Sequence, residues 1–234
     1  MALSVNTRRN LFGLNALSAW LGFGFSFVIE LFYLEPYTSP TPSLYGGHAT
    51  GWPGAFSRIT DLLSYFTIWS QIVVGVVMTL LFLNPVRDGK LFRIFRVDSV
   101  LMITVTGIVY NLLIGPNFPP QGLNVYSSFL EHTLTPLLTV IIFVIAGPHG
   151  WFSRKSVLAG LYLPIAYIFY ALIRGVIVHQ YPYSFMDVIT YGYVSVLITV
   201  LAILVASLIM LVGFWALDAR LNRPRQSLDT TTVL

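Results

Sequence analysis

Residues 127–147 of this chain read SSFLEHTLTPLLTVIIFVIAG. The stretch is long and apolar enough to cross a bilayer as a helix, since a span needs about 20 residues. It carries a histidine, His132, near one end. Ionisable side chains inside a membrane are rare, and they usually have a partner or a function. The stretch therefore predicts a membrane protein and marks His132 as a candidate functional residue.

The composition of the whole chain also indicates an integral membrane protein. Of its 234 residues, 56% are hydrophobic and 9% are charged, whereas about 25% of residues in soluble domains are charged. The absence of cysteine excludes disulfides, thiolate metal sites and a cysteine nucleophile. The scattered histidines and carboxylates have no metal-ligand spacing, so we predict no metal or cofactor. The net charge of +4 comes from basic residues beside apolar runs, which argues against a nucleic-acid partner.

Six apolar runs predict an all-α, polytopic membrane protein, a bundle of six transmembrane helices forming a single domain over residues 1–234. Each run is expected to be helical because unpaired backbone groups are not tolerated in hydrocarbon. The first run follows two arginines, as a signal peptide does, but it continues without a small-residue cleavage site, so we expect a retained helix. The runs cover roughly residues 10–33, 61–83, 98–115, 127–147, 155–178 and 189–216.

Basic residues predict the orientation of the helices. If the helices alternate in direction, all but Arg58 and Arg174 of the 13 basic residues fall on one side of the membrane. The positive-inside rule then predicts that both termini are cytoplasmic. We expect the protein in the plasma membrane, which in a bacterium is the inner membrane. The loop of residues 35–60 is rich in Pro, Gly and Ser, so we expect it to be irregular, to face outward and to be a candidate cap over the bundle. The basic residues on the predicted cytoplasmic side are Arg8, Arg9, Arg87, Lys90, Arg93, Arg96, Arg154, Lys155, Arg220, Arg223 and Arg225.

Each run carries one stripe of polar or small residues at helical spacing. Such stripes are expected to face one another, away from lipid. Thr67 lies ~9 Å and His132 ~8 Å inside the outer ends of their helices, so the two side chains are expected at one depth, in a polar pocket toward the outer side. The stripes also supply candidate supporting residues, which are Glu30, Ser64, Gln71, Asn111, Thr135, Tyr167, Arg174 and Tyr191.

A threonine hydroxyl attacks an ester only when a neighbouring base accepts its proton, and histidine titrates in the right range for that role. Thr67 and His132 are therefore a candidate nucleophile and base. Glu131 points about 100° away from His132 around an α-helix, so it is a poor orienting group. Glu30, Asp61 and Asp187 are the alternatives. Candidates to stabilise a carboxylate or an oxyanion are Asn111, Tyr167, Arg174 and Tyr191.

Structural interpretations of the same residues stay open at this point. A threonine in a membrane helix commonly bonds its own backbone one turn back. His132 can be paired for structural reasons, and Arg174 can extend to the interface or anchor Glu30 or Asp187. The segment HQYPYSFMD at 179–187 is interpreted as an interfacial aromatic belt.

Three segments carry a family resemblance: LLSYFTIWSQIVV at 62–74, LEHTLTPLL at 130–138 and LPIAYIFYALIRGVIVHQYPYSFMD at 163–187. Together they resemble the bacterial six-span relatives of the androgen-induced and androgen-dependent membrane proteins. The resemblance implies a threonine hydrolase that cleaves fatty acid esters of hydroxy fatty acids, with Thr67 and His132 at the positions of the catalytic pair.

Two functional hypotheses follow from the sequence. The first is a membrane-embedded hydrolase of fatty acid esters of hydroxy fatty acids or similar lipids, with a fatty acyl ester as its partner and no cofactor. The second is a non-catalytic lipid-binding or transport protein in which Arg174 binds the carboxylate of an amphiphile. The oligomeric state is open in both.

Overall fold

A computed structural model describes residues 3–36, 39 and 41–222. Within these ranges the regular structure is all-helical, and no β-strand forms. Six helices are long and apolar enough to cross a membrane. The predicted all-α class and the six candidate spans are thereby confirmed.

We number the helices in chain order and join pieces that continue one another. The six candidate spans are α1 (Val5–Phe32), α3 (Phe66–Leu83), α4 (Lys90–Ile114), α5 (Asn124–Ala146), α6 (Arg154–Val178) and α7 (Val188–Leu221), and α2 (Trp52–Leu62) is a shorter helix before α3. The last turn of α4 (Tyr110–Ile114) and the second turn of α5 (Leu130–Leu134) are π-helical. A single 3-10 turn, Ser184–Met186, precedes α7.

The second predicted run is broken into two helices. The sequence predicts one helix over 61–83, but α2 ends at Leu62 and α3 begins at Phe66. The backbone tightens between them, since the N–H of Ser64 bonds the carbonyl of Asp61, three residues earlier. The break places Thr67 in the first turn of α3.

The loop predicted to be irregular over 35–60 contains most of α2. Proline is well suited to the first turn of a helix, because the N–H that it lacks has no helical partner there. Pro53 occupies that position in α2, directly after Gly51 at φ +64° and Trp52. Residues 37, 38 and 40 of this loop lie outside the described residues.

The third run also begins earlier than predicted, at Lys90 rather than 98. The prediction places Arg96 between the second and third helices. Arg96 is nevertheless 1% exposed, and its guanidinium donates to the carbonyl of Gly147 at 3.3 Å and to Ser99 Oγ at 3.3 Å. These hydrogen bonds allow a basic side chain inside the helix. Arg223 and Arg225 lie outside the described residues, and the cytoplasmic placement of both termini stays a prediction.

The core of the bundle lies between α1, α3, α4 and α5. A buried hydrogen bond from Asn15 Nδ2 to Thr139 Oγ1, 3.0 Å long, joins α1 to α5. Helix α7 packs more loosely, since 22% of its most apolar window is buried against 50% for α4. A groove remains between α4 and α7. The central apolar residues are Phe12, Ala16, Ala19, Val74, Val77, Met78, Leu81, Ile103, Ile142 and Ala146.

Residues 41–62 form a cap over one end of the bundle. The N–H of Tyr45 donates to the carbonyl of Tyr181 at 3.1 Å, and the N–H of Tyr181 donates to the carbonyl of Ser43 at 2.8 Å. The hydroxyl of Ser43 donates to Asp187 at 2.5 Å. The cap is thus attached to the segment between α6 and α7.

Arg58 attaches the cap to the end of α1. Its guanidinium donates to the carbonyls of Glu30 at 2.7 Å, Ala49 at 2.6 Å and Gly51 at 2.9 Å, and the residue is 3% exposed. Removing a buried partner leaves these carbonyls without a donor, which costs about 3 kcal/mol or more. We therefore expect Arg58→Ala to lower the thermal midpoint by roughly 6 °C or more in a detergent unfolding assay. The exposed Arg87→Ala variant is the matched control, and equal midpoints for the two variants would contradict the anchoring role.

Candidate active site

The structure brings Thr67 and His132 together. Thr67 Oγ1 lies 3.3 Å from His132 Nε2, which is hydrogen-bonding distance. Other hydroxyls of the bundle bond the carbonyl four residues earlier, as Ser70 and Thr139 do. The hydroxyl of Thr67 instead faces the imidazole. The alternative interpretation, in which the Thr67 hydroxyl bonds a carbonyl of its own helix, therefore does not describe the observed contact.

The other side of the imidazole is held by its own helix. His132 Nδ1 lies 3.1 Å from the carbonyl oxygen of Ser128 and 3.1 Å from its Oγ. A ring nitrogen that bonds a carbonyl must carry the proton, and in a neutral imidazole the other nitrogen is then an acceptor. The contact with the Ser128 carbonyl therefore presents the lone pair of Nε2 to the hydroxyl of Thr67.

Tyr110 fixes the plane of the imidazole. Its ring stacks on His132 with centroids 3.5 Å apart and planes 11° apart. The Tyr110 hydroxyl accepts a hydrogen bond from Ser128 Oγ at 2.8 Å. The ring of His132 is thus held by one contact along its edge and another over its face.

Two of the predicted supporting residues, Asn111 and Gln71, bond backbone carbonyls in the π turn of α5. Pro136 has no N–H, so the carbonyl of His132, four residues earlier, has no donor within an α-helix. Asn111 Nδ2 donates to that carbonyl at 3.1 Å, and Gln71 Nε2 donates to the adjacent carbonyl of Glu131 at 3.1 Å. Asn111 and Gln71 therefore position the backbone that carries His132. Asn111 has no contact of its own with Thr67, so the prediction that it stabilises an oxyanion is not supported by its placement.

A cavity of about 260 Å³ opens beside the pair. We call it the polar cavity, since hydroxyl, amide and carboxyl groups line part of its wall. Leu44 and Tyr45 of the cap close it on one side. Its polar lining consists of Ser26, Tyr45, Tyr65, Thr67, Tyr110, Asn124, Ser127, Ser128, Glu131, His132, Tyr183 and Ser184.

Glu131 lines the same cavity as His132, although the sequence argument placed it on another face. The carboxyl group of Glu131 faces Ser26 of α1 and the imidazole of His132 faces Thr67 of α3, so the two side chains point in different directions and the cavity reaches both faces of α5. Glu131 is 6% exposed, and its Oε1 accepts a hydrogen bond of 2.6 Å from Ser26 Oγ. The carboxyl group therefore belongs to the site without orienting the imidazole.

Tyr183 is a site residue that the sequence assigned to an aromatic belt. Its hydroxyl accepts a hydrogen bond from the backbone N–H of Thr67 at 3.4 Å. Burial of the phenol raises the pKa of Tyr183 to about 12, so the hydroxyl keeps its proton at neutral pH. The aromatic-belt interpretation is wrong for Tyr183 and for Tyr181, which is 1% exposed.

The acidic residues proposed to orient His132 contact other groups. Asp61 accepts hydrogen bonds of 2.5 Å from Arg174 and 2.5 Å from His48. Asp187 accepts from Ser43 and caps the first turn of α7. Glu30 lies in a separate small cavity under the cap, beside Arg58. The position of the expected third group is taken by the carbonyl of Ser128.

The remaining predicted residues are distributed around the site. Tyr191 is 57% exposed and lies away from it, so the prediction that it supports the site is wrong. Thr135 is fully buried below the cavity, where it donates to Ser18 at 3.1 Å. The hydroxyl of Tyr167 donates to the carbonyl of Ser64 at 3.1 Å. Tyr167 and Ser64 therefore support the start of α3, next to Thr67.

The sequence contains a signal for the role of Asn111 but none for the missed residues Tyr110 and Tyr183. Pro136, four residues after His132, indicates a freed carbonyl and hence a donor on a neighbouring helix. The stacking of Tyr110 and the approach of Tyr183 depend on how α4 and the α6–α7 connection pack, and nothing in the local sequence indicates either.

Among the residues that the structure describes, no group of three or more His, Asp or Glu side chains is placed to hold a metal ion. Comparisons with protein-family models, curated protein sequences and solved structures find no match to this chain. The geometry of the site therefore carries the functional argument.

Proposed function

We propose that this chain is a membrane-embedded lipid-ester hydrolase in which Thr67 is the nucleophile and His132 is the base. The observation that carries the proposal is the 3.3 Å contact between Thr67 Oγ1 and His132 Nε2. The anchored Nδ1 supports it, because Nε2 is then the proton acceptor.

In the proposed reaction Thr67 Oγ1 attacks the ester carbonyl while its proton passes to His132 Nε2. The tetrahedral intermediate collapses, the C–O bond to the alcohol breaks, and the alcohol takes the proton from His132. A water molecule then attacks the acyl-threonine with His132 again as base, which releases the fatty acid and restores Thr67. Tyr183 is the candidate donor to the oxyanion, since its protonated hydroxyl lies beside Thr67.

Two further observations support a lipid substrate. Six helices of the bundle that holds the pair are long and apolar enough to cross a membrane, and an apolar cavity adjoins Thr67 on the side away from the polar cavity. The resemblance to the androgen-induced and androgen-dependent membrane proteins points to fatty acid esters of hydroxy fatty acids or similar lipids. On the basic-residue pattern, the protein belongs to the plasma or bacterial inner membrane, with both termini in the cytoplasm and the site toward the outer side.

A non-catalytic lipid-binding or transport protein is the second candidate, and the apolar cavity favours it as well. Its carboxylate-binding residue, however, was expected to be Arg174, which is paired with Asp61 at 2.5 Å. An uncleaved lipid that remains bound through purification is the result expected of this candidate.

Release of fatty acid by the purified protein tests the proposal. We expect the wild-type protein in detergent to liberate free fatty acid from a branched fatty ester, and we expect the Thr67→Ala, His132→Ala double variant to release none above background. Fatty acid release is measured by mass spectrometry on proteins of equal thermal stability. Equal release by the two proteins would show that a contaminant cleaves the ester and would contradict the proposal.

A further inference from the structure

Two cavities of opposite character meet at Thr67. The polar cavity lies on the side of His132 and Glu131. The second cavity, which we call the apolar cavity, has a volume of about 70 Å³ and is bounded by α3, α4, α6 and α7. Four residues line both cavities: Thr67, Tyr110, Ile114 and Tyr183. A substrate that presents its ester to Thr67 therefore extends into both.

The few polar groups in the apolar cavity are already paired within the protein. Thr106 Oγ1 lies 2.9 Å from Ser70 Oγ. The hydroxyl of Tyr167 donates to the carbonyl of Ser64, and Ser207 Oγ donates to the carbonyl of Ile203 at 2.8 Å. A polar occupant would lose hydration without gaining partners there. The apolar cavity therefore suits a hydrocarbon chain.

The size of the apolar cavity requires a continuation. An engineered apolar cavity of about 150 Å³ holds one benzene molecule, so the volume near 70 Å³ accommodates only a short part of an acyl chain. The α4–α7 groove, of about 310 Å³, shares Val105, Val109, Ile203 and Ser207 with the apolar cavity. A long chain can continue through this shared wall into the groove between α4 and the loosely packed α7.

The polar cavity suits an uncharged group that carries polar atoms, rather than a hydrocarbon chain alone. Its lining residues, all within the described part of the chain, include no lysine or arginine, so a carboxylate there has no cationic partner, and its serine hydroxyls suit neutral hydroxyl or ester oxygens. The neighbouring cations bind other groups. Arg174 lies behind the ring of Tyr45, 4.4 Å from its centroid, and is paired with Asp61, while Arg58 donates to backbone carbonyls.

We propose that the substrate lies across Thr67 with its acyl chain in the apolar cavity and an uncharged alcohol portion in the polar cavity. This inference rests on the proposed function, and it names the substrate class as neutral lipid esters such as acylglycerols or alkyl esters. It separates this chain from the hydroxy fatty acid esters that the family resemblance implies, because those lipids carry a free carboxylate on the alcohol portion.

A pair of substrates that differ in the charge of one carboxyl group tests the alcohol side, with palmitate release as the measured step because the methyl ester contains a second ester bond. The palmitoyl ester of a hydroxystearic acid and the methyl ester of the same lipid are compared with the wild-type protein. A buried carboxylate without a partner is strongly disfavoured, so we expect kcat/KM to be about tenfold or more higher for the methyl ester. Asn124→Arg places a cation in the polar cavity and should narrow this ratio, whereas the matched Asn117→Arg, outside it, should not. A free acid that is cleaved as fast as its methyl ester would overturn the proposal.

A second pair of variants tests the acyl side. Ser207→Phe fills the wall shared by the apolar cavity and the α4–α7 groove, and Ser195→Phe makes the same change on the exposed face of α7. We expect Ser207→Phe to lower kcat/KM for a palmitoyl ester about tenfold while acetyl ester hydrolysis changes less than about twofold. Equal effects on both chain lengths, or none on either, would contradict the placement of the chain.

Retention of uncleaved lipid separates this inference from the proposed function. The Thr67→Ala variant is purified after incubation with both palmitoyl esters, and the bound lipid is measured by native mass spectrometry. We expect preferential retention of the methyl ester, and this readout does not depend on catalysis. If the wild-type protein cleaves neither ester but Thr67→Ala retains the methyl ester selectively, the hydrolase proposal fails and the inferred ligand class stands. Selective retention of the free acid would overturn the ligand class.

Discussion

Replacing His132 with alanine is expected to lower the rate of ester hydrolysis by about 10²–10⁴-fold, the contribution typical of a positioned general base. The expectation follows from the geometry of the imidazole, whose Nε2 faces Thr67 Oγ1 at 3.3 Å. The fall should appear in kcat, since the imidazole acts on the nucleophile and contributes little to holding the acyl chain. Initial rates of fatty acid release at saturating and limiting ester concentrations separate the two parameters.

His149→Ala is the matched control for this variant. His149 lies in the connection between α5 and α6, where its Nε2 bonds the carbonyl of Phe143 at 2.8 Å. Its removal should leave the rate within about twofold of wild type. Full activity in the His132→Ala variant, at unchanged thermal stability, would show that His132 has only a structural role.

Replacing Thr67 with valine is expected to abolish hydrolysis and to preserve the fold. Valine keeps the branched shape of threonine and removes only the hydroxyl, which is the proposed nucleophile. Among the described residues, Thr67 carries the hydroxyl that contacts His132 Nε2, so the loss should reach the detection limit, about 10³-fold or more. Thr67→Ser retains a hydroxyl and should keep measurable activity.

Thr104→Val is the control for Thr67→Val. Thr104 lies on α4, and its hydroxyl bonds the carbonyl of Val100 at 2.6 Å. Loss of this local bond should leave hydrolysis within about twofold of wild type. If Thr67→Val and Thr67→Ser were equally impaired, the shape of the residue rather than its hydroxyl would explain the effect, and the nucleophile would lie elsewhere.

The spans and the central pair could be predicted from the sequence for physical reasons that act locally. Long apolar runs must form helices in a bilayer, and this argument located all six spans apart from their ends. Helical spacing and depth placed Thr67 and His132 at one level, which the structure confirms as a contact. The start of the third run was less accurate, because Arg96 lies inside α4, where it is buried with hydrogen-bond partners, rather than in the preceding loop.

The rest of the site depends on how the helices pack and on distant contacts. The helical angle between Glu131 and His132 excludes Glu131 as the orienting group, as the structure shows, but it does not indicate that one cavity reaches both faces of α5. The orienting group of His132 was sought among carboxylates, whereas the carbonyl of Ser128 takes that role. Tyr183 reaches Thr67 from the α6–α7 connection, 116 residues further along the chain. No periodicity within one helix indicates such an approach.

Covalent labelling of the nucleophile tests the central claim most directly. The purified protein is treated with an alkyl fluorophosphonate, which reacts with an activated hydroxyl in proportion to its nucleophilicity, and the modified peptide is identified by mass spectrometry. We predict a single adduct on Thr67 that is lost in His132→Ala and retained in His149→Ala. An adduct on another residue, or undiminished labelling of Thr67 without His132, would contradict the proposed catalytic pair.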